Sequence, residues 1–240
     1  MFLVCGGIFD LLTSLAKRFS FWIDYCNRHG IVIPPSSVRS VHTFDWQKIA
    51  HRRPFARNLV KNTSGEMHDR HWNFDPKPVH RFNRADETRG SGWRVERRPA
   101  GADAHPTSEC CFASSFAWCT KRQTLRLSDY GIDSWIMDNL KPLIAVTEDY
   151  AGRFDCGCVY VLRAELLNEA EQVIAHQESG EHRVEQWTGR QWATARVEFT
   201  DYPPGVRAIV LRSKGKDTQF WAGYYGPKMA NASLLLTLRE

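Results

Sequence analysis

No stretch of this 240-residue chain approaches the roughly 18 to 20 consecutive apolar residues that a membrane helix needs, so no membrane span is expected. The apolar opening MFLVCGGIFDLL has no basic residue ahead of it; Lys17 and Arg18 come after it, the reverse of a secretory signal peptide. Cysteine is odd in number, seven in all, in a chain long enough to bury a core without disulfide staples, which suits a reducing compartment. A cytoplasmic location is the expectation. No second CxxC or HxxxH accompanies Cys156-Gly-Cys158 and Cys110-Cys111, so these read as buried free thiols with no metal, and nothing points to a cofactor. Serine, histidine and aspartate occur, but in no GxSxG or comparable elbow, and His176 and His182 lie in a polar stretch as surface histidines. The chain reads as non-catalytic.

What is present is organised unevenly. Residues 1–98 hold 17 Lys+Arg against 9 Asp+Glu, and residues 99–240 hold 15 against 18, so the formal +5 belongs to the N-terminal part. Those cations are scattered through HRRPFARNLVKN and RFNRADETRG without a stripe or motif, which suits a solvated basic linker rather than a nucleic-acid site. An RNA-associated role for residues 42–98 would require binding that falls steeply with salt.

Residues 8–29 space Leu11, Leu12, Leu15, Phe19, Trp22, Ile23 and Cys26 by three and four, which predicts an amphipathic helix or two short ones ended by Gly30. Pro34 and Pro35 open a loop, and residues 73–91 read as an irregular surface connector. Further on, Tyr160, Leu162, Ala164 and Leu166 alternate with Val161, Arg163 and Glu165, as strand residues do. Alternation recurs in residues 196–199 and 233–239. Ser179-Gly180, Thr188-Gly189, Pro203-Pro-Gly205 and Lys214-Gly215 are turn signals too closely spaced for βαβ units, and Ser134 to Leu140 is the one longer helix candidate among them. The class is mainly β. The sequons at Asn62 and Asn231 read as turn residues.

The most informative stretch is Asp201 to Ser233, where Phe220, Trp221, Tyr224 and Tyr225 stand among glycines in a turn-rich setting. Aromatic faces pack on the axial C–H groups of pyranose rings, so a sugar platform is one reading. The other is that Phe220 and Trp221 close the end of the core.

Trp93-Arg-Val-Glu96, Cys111-Phe-Ala-Ser-Ser-Phe116, Tyr150-Ala-Gly-Arg-Phe-Asp-Cys-Gly-Cys158, Asp201-Tyr-Pro-Pro-Gly-Val-Arg207 and Asp217-Thr-Gln-Phe-Trp-Ala-Gly223 occur in one order over roughly the last 150 residues. In that order they resemble the F-box-associated domain, shared by the sugar-recognising F-box proteins and the nonspecific cytotoxic cell receptor proteins. The resemblance implies an antiparallel β-sandwich of jelly-roll, galactose-binding-like form over residues 93–240. Residues 41–92 would be a linker with a short helix, carrying Arg57-Asn58-Leu59. Residues 1–40 would be a helical F-box remnant ending near Phe19-Ser-Phe-Trp22, truncated because the family's opening Leu-Pro helix has no counterpart.

The same resemblance implies a shallow pocket for the chitobiose core of N-linked high-mannose glycans. Phe220 stands where a tyrosine is usual, Trp221 matches, Ala222 replaces the lysine of some members, and a loop phenylalanine is either Phe112 or Phe116. Asp149 stands where many relatives carry tryptophan, and an unpaired buried carboxylate would cost several kcal/mol, so a solvent-facing position is expected. By resemblance the chain would be the client-binding subunit of an Skp1–cullin–F-box ubiquitin ligase, holding glycoprotein or misfolded clients for degradation while partners transfer ubiquitin. The alternative is a ligase-independent binding protein like the cytotoxic cell receptor protein.

Overall fold

The computed structural model describes residues 19–77 and 91–239. Helix α1 (Phe19–Arg28) gives way to Gly30 at φ +61°, and the sequence-predicted helical positions 8–18 lie outside the described residues. Helix α2 (Trp46–Arg52) starts where the Asp45 side chain accepts the Lys48 N–H at 2.9 Å, capping an otherwise orphan donor.

The strands follow in chain order as β1 (Asn73–Asp75), β2 (Trp93–Glu96), β3 (Cys111–Ser114), β4 (Cys119–Arg126), β5 (Leu143–Ala151), β6 (Cys158–Leu167), β7 (Val173–Glu178), β8 (His182–Val184), β9 (Ala193–Phe199), β10 (Ala208–Asp217) and β11 (Lys228–Thr237). They form two antiparallel sheets. One has the order β1-β4-β10-β6-β7, with β8 also on β6; the other has the order β2-β3-β11-β5-β9. Alternation decides what each strand buries: Leu125 on β4, Leu162 on β6, Leu211 on β10, and Ile144 and Leu234 on the facing sheet meet in one core, while Arg122, Arg163 and Arg212 point outward. Ser134 to Leu140 is helical, with a wide π turn over Ile136–Leu140 that buries Ile136 and Met137.

Residues 44–75 are part of the sandwich, where the sequence reading placed a linker. Phe44, Trp46, Ile49, Phe55, Leu59 and Trp72 are buried in the same core as the strands. The backbone N–H groups of Ala56 and Leu59 donate to Leu236 and Leu234, and the Asn58 side chain accepts from Leu234 N and donates to Ala232 O. This segment therefore covers the part of β11 that β3 does not reach, since β3 pairs only with Lys228 and Met229. Asn73 to Asp75, expected to be irregular, pairs with β4. Lys214-Gly215 is also not a turn. It lies inside β10, where a Cβ on Gly215 would stand 2.3 Å from Pro227 Cγ, so the glycine permits a close approach.

An ion pair is sealed between the sheets. Lys121 of β4 donates to Glu148 of β5, both side chains fully buried, and the Tyr160 hydroxyl donates to the other Glu148 oxygen at 2.7 Å. Lys121 Nζ also lies 3.7 Å from the Trp72 ring centroid. Burial pulls the Lys121 pKa down, and the Glu148 carboxylate opposes that pull.

Phe44 packs edge-on to Trp135 near the start of β5. The helical N-terminal segment thus sits at the end of the sandwich where β5 and β10 begin and β4 and β11 end. The opposite end carries the loops described next.

Candidate functional site

Four connections meet at that opposite end: residues 115–118, 152–157, 185–192 and 218–227. Asp217 closes β10 and is 2% exposed; its carboxylate accepts the backbone N–H of Phe220 at 2.6 Å and of Trp221 at 3.2 Å. Burial raises the Asp217 pKa and these donors oppose the rise. The Asx-type turn holds Phe220 at φ +59°, in the left-handed region that a bulky residue adopts only when its surroundings impose it. The next layer ties the loops together. Gln219 Oε1 accepts Gly157 N at 2.8 Å, Thr218 N donates to Gly157 O, and Asp217 N donates to Ser115 O.

The far side of the loop hangs on Lys228. Its buried ammonium donates to Tyr224 O at 2.8 Å and to Glu96 Oε1 at 3.1 Å, and burial lowers its pKa against the pull of Glu96. Gly223, at φ +128°, lets the Tyr225 ring lie where a Cβ would stand 2.6 Å from it. Tyr225 in turn meets Trp221 edge to face at 5.5 Å and receives the Arg153 guanidinium at 4.5 Å.

The result is a rigid loop with exposed rings. Phe220 is 76% exposed and Trp221 39%, while Ala222 is exposed beside them and offers only a methyl. Phe116 packs edge to face on Phe220 at 4.9 Å. Phe112 does not join them. It is fully buried in β3, against Trp72 and Phe74, with no surface for a ligand.

Asp149 is partly exposed, and its carboxylate is paired. It accepts His105 Nε2 at 3.1 Å, Thr194 Oγ1 at 2.6 Å and Asn231 Nδ2 at 2.9 Å, with its side chain 15% exposed. Thr107 N donates to His105 Nδ1, which leaves Nε2 as the protonated nitrogen. His182, expected at the surface, is half-buried against Tyr150 and Tyr160, and burial lowers its pKa.

Burial disfavours the thiolate form of the cysteines beside the loop. Cys156 is pushed up to about 11 by burial and then by Asp217, and Cys111 to about 12 by burial and then by Glu96. Both are free and buried. No group of three or more His, Cys, Asp or Glu suited to a metal occurs among the described residues. Aromatic stacking and hydrogen bonding are what this end can offer. The anchors Asp217, Gln219 and Lys228 were missed as functional positions; an aspartate three residues before Phe220 was the available signal.

The sequence is similar to several F-box only proteins. F-box only protein 6 from Bos taurus is 32% identical over 238 residues, covering 98% of this chain and 84% of that one. F-box only protein 2 from Bos taurus is 34% identical over 227 residues, covering 92% and 72%. F-box only protein 44 from Homo sapiens is 28% identical over 239 residues, covering 98% and 88%. The family model described as the F-box associated region matches residues 50–236, and on that match the chain belongs to the F-box associated region family.

Proposed function

We propose that the chain is the client-recognition subunit of an Skp1–cullin–F-box ubiquitin ligase, and that it grips N-linked high-mannose glycans through Phe116, Phe220, Trp221 and Ala222. The observation that carries this reading is the exposed Phe220–Trp221 corner, fixed by Asp217 at one end of the sandwich while the helical segment occupies the other. A client held there leaves the helical end available for a ligase partner. Kinship to F-box only proteins supports the adaptor part of the reading.

Phe116 rather than Phe112 is the loop phenylalanine in this proposal, since only the former reaches the exposed corner. Chemistry on the client is left to partner enzymes, which gain from proximity. The site of action is the cytoplasm, and no described helix is long and apolar enough to cross a membrane.

Co-purification from cytosol tests both halves. A high-mannose glycoprotein retained by the chain, lost after enzymatic removal of its glycans, together with captured Skp1, is the expected outcome. Glycoprotein retention without Skp1 would leave a ligase-independent binder, and retention indifferent to deglycosylation would overturn the glycan reading.

A further inference from the structure

The outer face of the sheet containing β4, β10 and β6 collects cations that the sequence keeps apart. Antiparallel register places Arg212 of β10 directly beside Arg122 of β4 on one flank and Arg163 of β6 on the other. Like charges directly opposite one another cost stability. Two steps at a time along β10, the same face continues with Lys214 and Lys216, which flank the Trp118 ring at 5.2 and 5.0 Å.

Asp75 of β1, in register with Thr120, and Glu165 and Glu178 supply carboxylates on this face. Glu165 accepts from Arg163 at 2.8 Å and from Arg212 at 3.3 Å, and Glu178 lies 3.7 Å from Arg163. Among the described residues, Arg122, Lys214 and Lys216 have no carboxylate within ion-pair distance, and Arg212 Nε is buried with no hydrogen-bond partner. A groove of about 340 Å³ is lined by Arg163, Arg212 and Lys214 together with Glu165 and Glu178. Trp118 is 41% exposed. Residues 99–240 carry 15 cations against 18 acids, so this basic face is built by folding and not by composition.

The geometry points to a docking surface for an extended, acidic polypeptide segment, distinct from the aromatic loop. The spacing argues for an extended chain. From Lys216 to Arg212 the cations spread over about 13 Å along β10, with a repeat of two residues, the repeat at which an extended peptide presents one face. A single phosphate would need them to converge. A single-stranded nucleic-acid track needs a succession of ring faces, and the outward positions of β10 are Ala208, Val210, Arg212, Lys214 and Lys216 instead. Trp118 would cover an apolar side chain of the docked segment.

The test is fluorescence anisotropy at low salt with a labelled peptide of roughly eight residues alternating glutamate and alanine. Wild type is expected to bind it and to ignore the matching glutamine–alanine peptide. The triple variant R122Q/K214Q/K216Q should bind at least about tenfold more weakly, whereas R196Q on the other sheet should not change binding. Added salt should weaken the wild-type interaction. Should the triple variant melt early, Arg122→Gln alone, an exposed position, carries the comparison. Failure of folded wild type to bind, equal binding by folded Arg122→Gln and triple variants, or tighter binding of a uridine oligonucleotide than of the acidic peptide would overturn the assignment.

Discussion

Asp217 holds Phe220 in a left-handed conformation by accepting its backbone N–H at 2.6 Å. That acceptor offsets φ +59°, a conformation that costs of order 1–3 kcal/mol. Asp217→Ala should therefore cost about 1–3 kcal/mol in urea unfolding and weaken ligand binding further than that loss of stability explains. Asp217→Asn, which retains one acceptor oxygen, should fall between. Unchanged binding by folded Asp217→Ala would show that the loop keeps its shape without the carboxylate.

Lys121 and Glu148 predict a non-additive cycle. Lys121→Met leaves the Glu148 carboxylate buried and unpaired, which should cost about 3–5 kcal/mol. Adding Glu148→Gln removes the charge and keeps an acceptor for the Tyr160 hydroxyl, so the double variant should recover much of that loss. Chemical denaturation of the four proteins reads the coupling; additive losses would contradict it.

Gly215→Ala should destabilise by about 1–3 kcal/mol, because its Cβ would collide with Pro227 and with Met229, at 2.3 and 3.0 Å. Ala at Gly180, where nothing lies within 4 Å of a built Cβ, meets no such collision, though its φ of +75° still disfavours a side chain. Melting temperatures of the two variants separate crowding from backbone strain.

These positions also mark how far the sequence could be read. The alternation in β6 announced a strand, because every second residue there enters one core. Lys214-Gly215 carried the composition of a turn, and only the approach of Pro227, twelve residues on, reveals why a glycine interrupts a strand. Phe44, Trp46, Ile49, Phe55 and Leu59 follow no strand period, so their burial is set by tertiary packing that no local pattern reports. The aromatic corner itself was visible in the spacing of residues 220–225. The choice between Phe112 and Phe116 was not, since four residues apart in an extended chain they would share a face; β3 ends at Ser114, and Phe116 swings outward. Asp149 finds His105 and Asn231 at separations of 44 and 82 residues, beyond local inference.

Asp138 and Arg207 give a pH dependence. Arg207 donates to both Asp138 oxygens, at 3.0 and 2.8 Å, and holds the carboxyl below its usual range. A depressed folded pKa contributes stability above the unfolded value of about 3.9 and loses it as pH falls through the folded value. The stability gap between wild type and Asp138→Asn should be constant from neutral pH to about pH 5 and close below about pH 4. A gap that persists into stronger acid would exclude the ion pair as its origin.

The most direct test of the account is calorimetric titration of chitobiose into the folded chain and into Trp221→Ala. Trp221 is partly exposed and meets Tyr225 through its edge, so the variant should fold. Wild type should bind, and Trp221→Ala should bind at least about tenfold more weakly, the worth of one stacked ring. Equal affinities in the two proteins, or no binding by folded wild type, would contradict it.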